Sequence, residues 1–261
     1  MLQVSATVLG ASLAFLAILA VRIFGRSSTL DVQTFDLSEE RCLLYDLGMA
    51  RGKFITFEGI EGSGKTTHLQ HLCLYLDELG LRYVLTREPG GTAFGAEIRS
   101  ILLNPAGAPR HPYGELLLYL ADRVQDLQEI IRPALEGGVH VLCDRYHDAT
   151  RAYQGAARGI PASLIDQLSL QLEILTPDLT IVFELEVSAA LERARRRNVN
   201  DGQEHQGRFE GEAVDFHERV RQAYRNMASR EPQRFWFIDT GGDFKQAQAR
   251  VRQIVSSFLN A

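Results

Sequence analysis

A short apolar run, Phe54-Ile-Thr-Phe-Glu58, leads directly into Gly59-Ile60-Glu61-Gly62-Ser63-Gly64-Lys65-Thr66-Thr67, and Leu69, Leu72, Cys73 and Leu76 follow. The first run reads as a buried strand. The last four residues recur at the i, i+3, i+4, i+7 spacing of an amphipathic helix. A strand, a glycine loop and a helix in that order form the context that a phosphate-binding loop requires. Gly59, Gly62 and Gly64 open backbone conformations closed to bulkier residues, so successive N–H groups can turn inward onto phosphate oxygens. The partial positive charge of the helix start adds to that field. In such a loop Lys65 reaches the outer phosphates of a nucleoside triphosphate, and Thr66 offers a hydroxyl to Mg²⁺.

Strands and helices alternate from Phe54 onward, which predicts an α/β chain with a parallel sheet. Candidate strands are 54–58, 82–86, 139–143, 179–184 and 235–238, each short and apolar as suits strands covered on both faces. The clearest helix runs from about 114 to 136, with Leu117, Leu120, Val124, Leu127, Ile131 and Leu135 in phase before Gly137-Gly138. The last helix, about 244–259, aligns Ala247, Val251, Ile254, Val255 and Phe258. The expected fold is that of the P-loop NTPases, a five-stranded parallel sheet with helices on both faces. No linker-like change of composition follows Met49, so 49–261 reads as one catalytic domain.

A net charge of −5 argues against a nucleic-acid coat or a broadly basic membrane-binding face, and no nucleic-acid partner is expected. Of the three cysteines, Cys42, Cys73 and Cys143, the last two fall on apolar faces and read as buried thiols in a reducing compartment. The seven histidines show no metal-ligand spacing, and His68 and His71 read as helix-surface residues. The first 48 residues differ from the rest. Val4 to Val21 carries no charge and is followed by Arg22 and Arg26. At about 1.5 Å per residue that run spans roughly 27 Å, near the lower limit for crossing a bilayer. Arginines on its C-terminal side would hold the remainder in the cytoplasm. Residues 1–48 thus read as a signal anchor or, by preference, as an extension upstream of a true start at Met49. The catalytic part is cytoplasmic under both, and membrane contact is expected only if 4–21 is a real anchor.

In sheets of this kind ligands bind at the carboxyl ends of the strands. The polar segments there are Thr86-Arg-Glu-Pro-Gly-Gly-Thr92, then Asp144-Arg-Tyr-His-Asp-Ala-Thr-Arg-Ala-Tyr-Gln-Gly155, then Arg193, Arg195, Arg196, Arg197 and Arg208. From Met49 onward the chain resembles the thymidylate kinases, which phosphorylate dTMP with ATP. The resemblance rests on the loop with its acidic Glu61, on Thr86-Arg-Glu-Pro-Gly-Gly-Thr92, on Tyr119 with Arg123, and on Asp144-Arg-Tyr146 with Ala152-Tyr-Gln-Gly155.

The acceptor phosphate carries close to two negative charges at pH 7, so its attacking oxygen needs no general base. The obstacle is bringing two anions together, a task for arginine, lysine and Mg²⁺. By resemblance, Gly59 through Thr67 hold ATP, with Ile60, Gly62 and Ser63 among them, and Lys65 and Arg145 are catalytic. Arg145 grips the acceptor phosphate and Arg87 faces it as well. Asp144 joins Thr66 in steadying Mg²⁺. Tyr119 stacks on thymine, Arg123 hydrogen-bonds a base oxygen, and Thr150 contacts the base. Tyr119 and Arg123, one helical turn apart, share a helix side. Ala149 stands where the family often has serine. Tyr153 crowds the sugar 2′ position, Gln154 lines the same pocket, and Glu61 approaches the 3′-hydroxyl. Glu88-Pro89 corresponds to a family peptide bond that is often cis.

None of the variable loop residues Ile60, Glu61, Gly62 and Ser63 is basic. The compensating charge is then expected from an arginine-rich lid at about 193–210, as in the bacterial-type subgroup. Arg195, Arg197 and Arg208 are the catalytic candidates, ahead of Arg193 and Arg196. Residues 193–208 hold five arginines against Asp201 and Glu204, a net of +3 that suits a flap closing over ATP. The stretch Asn198 to Gly207 is longer than the family usually has. A homodimer is implied by the resemblance alone. The competing readings are another (deoxy)nucleotide or deoxynucleoside kinase, and a membrane-tethered nucleotide-binding protein without turnover. A GTPase is disfavoured because no Asn-Lys-x-Asp occurs.

Overall fold

All the candidate strands form, and they form one sheet. The structure, a computed structural model, describes residues 51–104, 106–200 and 208–259, with backbone alone for 198–200. These residues belong to one unit spanning Leu43–Ala261. The strands are β1 (Phe54–Glu58), β2 (Tyr83–Arg87), β3 (His140–Asp144), β4 (Leu179–Glu184) and β5 (Phe235–Asp239). They run parallel in the order β2-β3-β1-β4-β5. Candidate boundaries 82–86 and 139–143 lie one residue early. The ladder of β2 with β3 starts at Tyr83↔His140 and continues through the charged pair Arg87↔Asp144, which hydropathy alone leaves out.

The helices are α1 (Lys65–Glu78), α2 (Ala93–Leu103), α3 (Pro112–Asp126), α4 (Arg132–Glu136), α5 (His147–Thr150), α6 (Ala162–Gln171), α7 (Val187–Asn200), α8 (Val214–Arg230) and α9 (Phe244–Leu259). Strand side chains alternate between faces. Ile55, Phe57, Ile181 and Phe183 pack with Leu69, Leu72 and Leu76 of α1 and Val251, Ile254 and Val255 of α9. On the opposite face Phe54, Val141 and Cys143 meet Leu127, Ile131 and Leu135. There, too, Val182 and Phe235 meet Phe216, Val220 and Tyr224 of α8.

The long helix expected over 114–136 is interrupted. A π-helical segment, Leu127–Ile131, separates α3 from α4. The i→i+5 bonding shifts the phase of the apolar stripe. Leu117 is consequently 58% exposed and Val124 half-buried, whereas Leu116, Asp122, Arg123 and Asp126 are buried. A second correction concerns His68, which is buried and not on the surface. Its ring lies 5.2 Å from that of Phe183 and 4.5 Å from that of Phe244, and it hydrogen-bonds Gln248 at 2.6 Å. The cause is α9, whose Phe244 and Gln248 cover that flank of α1. His71 is exposed. Cys143 is buried and Cys73 half-buried, both as free thiols. The apolar segment 4–21, Cys42 and the stretch 201–207 lie outside the described residues. Among the described residues no helix is long and apolar enough to cross a membrane.

Candidate active site

The glycine loop follows central strand β1 and runs into α1. Gly59, Gly62 and Gly64 have φ of 133°, 73° and 86°. Gly62 also has no room for a side chain, since a Cβ there would sit 1.8 Å from the Ala190 carbonyl oxygen of α7. Lys65 Nζ donates to the carbonyls of Gly59 and Ile60, each at 3.1 Å, which holds the ammonium against the loop. Burial, helped by Arg145 nearby, lowers its pKa to about 8. Ser63 Oγ is buried with no protein partner, a polar atom left over for a ligand of the loop.

At the end of β3, Asp144 accepts a hydrogen bond from Thr66 Oγ1 at 3.1 Å. A hydroxyl and a carboxylate side by side at the mouth of the loop suit Mg²⁺. It binds through one or two protein oxygens and takes its remaining ligands from water and substrate phosphates. Among the described residues no group of three or more His, Cys, Asp or Glu side chains is placed to hold a metal ion.

Arg145 comes next, with φ of 67°, left-handed for a residue other than glycine. Its guanidinium donates to Gly59 O at 2.7 Å and Glu61 Oε1 at 2.8 Å, and lies 5.0 Å from the Tyr153 ring. The Tyr153 hydroxyl reaches both oxygens of Glu61 at 2.9 Å. Burial would raise the Glu61 carboxyl, but Arg145 and the neighbouring His217 overcome it and bring its pKa to about 2.

A cavity of about 890 Å³ opens between these groups. It is bounded by Glu61, Gly62, Gly64, Lys65, Thr66, Thr67, Arg87, Tyr119, Arg123, Asp144, Arg145, Thr150, Tyr153, Gln154 and Arg197, so most of the sequence-derived candidates converge. Ala149 also lines it. Arg123, 1% exposed, donates from Nε to Glu88 at 2.7 Å and from a terminal nitrogen to Thr150 Oγ1 at 2.8 Å. The Glu88-Pro89 bond is cis.

The lid candidates separate. Arg197 lines the cavity and approaches Glu210 Oε1 at 3.5 Å. Arg195 donates to the Glu210 carbonyl at 3.4 Å. Arg208 pairs with Glu115 and donates to the Leu102 carbonyl at 3.1 Å. Arg193 binds the Thr240 carbonyl, and Arg196 pairs with Glu192 on the surface.

Several participants escape sequence reasoning. Buried Glu115 accepts from Gln154 Nε2 at 2.8 Å, and burial is outweighed by Gln154 and Arg208 in setting its lowered pKa. Buried Glu58 accepts from the Tyr146 N–H at 2.8 Å and from the Tyr224 hydroxyl at 2.7 Å. His217 Nδ1 lies 3.4 Å from Glu61 Oε2. The one available signal was Glu58 itself, a carboxylate closing an otherwise uncharged central strand.

Comparison with known proteins agrees with this geometry. The family described as thymidylate kinase matches residues 57–251. A thymidylate kinase of Pelobacter propionicus is 49% identical over 211 residues, 80% of this chain and 96% of that protein. One from Ectopseudomonas mendocina is 46% identical over 211 residues, 80% of this chain and 98% of its own length. The crystal structure of thymidylate kinase from Ehrlichia chaffeensis aligns with a TM-score of 0.63 at 33% identity, covering 79% of this chain and 99% of that one. From strand β1 to the middle of α9, the chain belongs to the thymidylate kinase family.

Proposed function

We propose that this chain transfers the terminal phosphoryl group of ATP to dTMP, giving dTDP and ADP. The observation that carries the reading is the placement of Arg145. Its guanidinium bonds the phosphate loop at Gly59 and Glu61 and borders the same cavity as Tyr119, Arg123 and Thr150. One positive charge thus serves the donor and acceptor sides together. A phosphate oxygen of dTMP attacks the terminal phosphorus of ATP while the bond to the ADP oxygen breaks. Lys65 and Arg145 neutralise the charge between the two esters. Tyr119 and Arg123 receive the thymine with Thr150 beside it, Glu61 faces the 3′-hydroxyl, and Tyr153 closes the 2′ side. Arg87 and Gln154 complete the acceptor pocket.

Thr66 and Asp144 would hold Mg²⁺, which would supply charge neutralisation at the outer phosphates. Arg197 is the lid arginine assigned to the phosphates, because it borders the cavity and Arg195 and Arg208 do not. Residues 49–261 form the catalytic domain, and the enzyme works in the cytoplasm as a homodimer. Exposed Phe94 and Ile101 of α2 and Leu117 of the adjoining α3 supply an apolar surface for that assembly. The test is a panel of dTMP, dUMP, thymidine and UMP with ATP. dTMP is expected to be the fastest acceptor, and thymidine outrunning it would overturn the assignment.

A further inference from the structure

Arg145 holds a backbone conformation that residues with a Cβ rarely adopt. Such a conformation persists where its surroundings over-determine it. Here β1 does so on both sides of the residue. The Arg145 N–H donates to the Phe57 carbonyl at 3.0 Å, and the following N–H, of Tyr146, donates to Glu58 Oε1 at 2.8 Å. The second oxygen of Glu58 accepts the Tyr224 hydroxyl at 2.7 Å from the middle of α8. Glu58, Tyr146 and Tyr224 are all fully buried. The phosphoryl transfer described above uses neither Glu58 nor Tyr224 directly. Yet Glu58 immediately precedes Gly59, whose carbonyl receives both Arg145 and Lys65.

We infer that the buried pair Glu58 and Tyr224 is a positioning device that fixes the left-handed turn at Arg145 and so aims its guanidinium at the acceptor phosphate. The inference rests on the reading that Arg145 grips that phosphate. Tyr224 anchors the carboxylate, the carboxylate anchors the Tyr146 N–H, and the peptide between residues 145 and 146 can no longer rotate. If the turn relaxed toward an ordinary conformation, the side chain would leave the loop and the cavity together. Burial, with Asp148 adding to it, pushes the Glu58 carboxyl up to about 7. A carboxyl kept at that cost in the central strand is consistent with a specific task.

A double-mutant cycle separates positioning from general support. Tyr224→Phe keeps the buried ring and removes the hydroxyl. It is expected to lower kcat/KM for dTMP by about tenfold in the wild-type background and by less than about twofold in an Arg145→Ala background. Equal losses in both backgrounds, or no loss in the first, would overturn the inference. Glu58→Gln, which keeps an acceptor for the Tyr146 N–H, is expected to retain more activity than Glu58→Ala. Binding gives a second readout. Both Tyr224→Phe and Glu58→Gln should weaken dTMP while leaving thymidine affinity unchanged, since thymidine has no phosphate to grip; parallel losses for both ligands would count against positioning. A crystal structure of Glu58→Ala, which removes the acceptor, should show residue 145 outside the left-handed region, and an unmoved Arg145 refutes the device without reference to any substrate. Wild-type turnover of dTMP, measured alongside, tests the functional reading separately.

Discussion

In the proposed reaction, three contacts of one guanidinium set where the two phosphates meet. Arg145 touches Gly59, Glu61 and the face of Tyr153, and the proposed function puts each of those groups on a nucleotide-binding surface. Removing a charge donor of this kind costs about 3 kcal/mol at the transition state. Arg145→Ala should therefore lower kcat by at least a hundredfold in a steady-state assay, with ATP binding by calorimetry little changed. Tyr153→Ala should relax the preference for deoxyribose, read as the ratio of kcat/KM for dTMP to that for its ribose counterpart. An unchanged ratio would remove Tyr153 from that role. At this scale the sequence was legible wherever a residue belongs to a contiguous motif. Thr66 and Asp144 meet, and Lys65 lies on its loop, as their motifs imply. Glu58, Glu115, Tyr224 and His217 act through partners distant in the chain, and no spacing rule announces such pairs. Arg208 likewise pairs with Glu115 and does not line the cavity, and nothing local in the sequence announces that pair.

Elements were readable to within a residue where hydropathy marks both ends, and less so where polar groups continue a strand or a helix changes pitch. The π-helical turn after α3 has no strong sequence signature, so the stripe extrapolated from Leu120 misplaced Leu117 and Val124. The polar flank that replaces them has a structural use. Asp126 at the end of α3 accepts the Thr86 hydroxyl of β2 at 2.8 Å, and Asp122 accepts the Gly90 N–H at 2.9 Å, which ties the Arg-Glu-Pro-Gly loop to the helix. Burial, with Asp122 adding to it, raises the Asp126 carboxyl from 3.8 to about 7. A carboxyl whose folded pKa is raised stabilises the fold fully below its unfolded pKa, and that contribution fades as pH climbs through the folded value. The melting temperature of the wild type relative to Asp126→Asn should then fall by several degrees between pH 5 and pH 8. A constant difference would show that Asp126 does not titrate in that window.

At the scale of the whole molecule, the α/β class and the strand set followed from alternation, but the strand order did not. Which side of β1 each crossover takes is a tertiary matter, settled by how α1 and α9 pack on one face and α8 on the other. The family match starts at residue 57, within β1, and the relatives match over 80% of this chain. A protein starting at Met49 is therefore expected to keep the full-length kcat and, within about 2 °C, its melting temperature, the scale of a sub-kcal/mol change. A large loss on truncation would give residues 1–48 a part in the enzyme.

The parallel ladder around β1 also governs how the polypeptide is made. β1 spans residues 54–58, and its first partner in the ladder, β3, does not begin until residue 140. At roughly 5–20 residues per second the ribosome needs several seconds to supply that neighbour. During that interval the strand that ends up buried along its whole length has no edge to join, and shelter falls to the helix translated immediately after it.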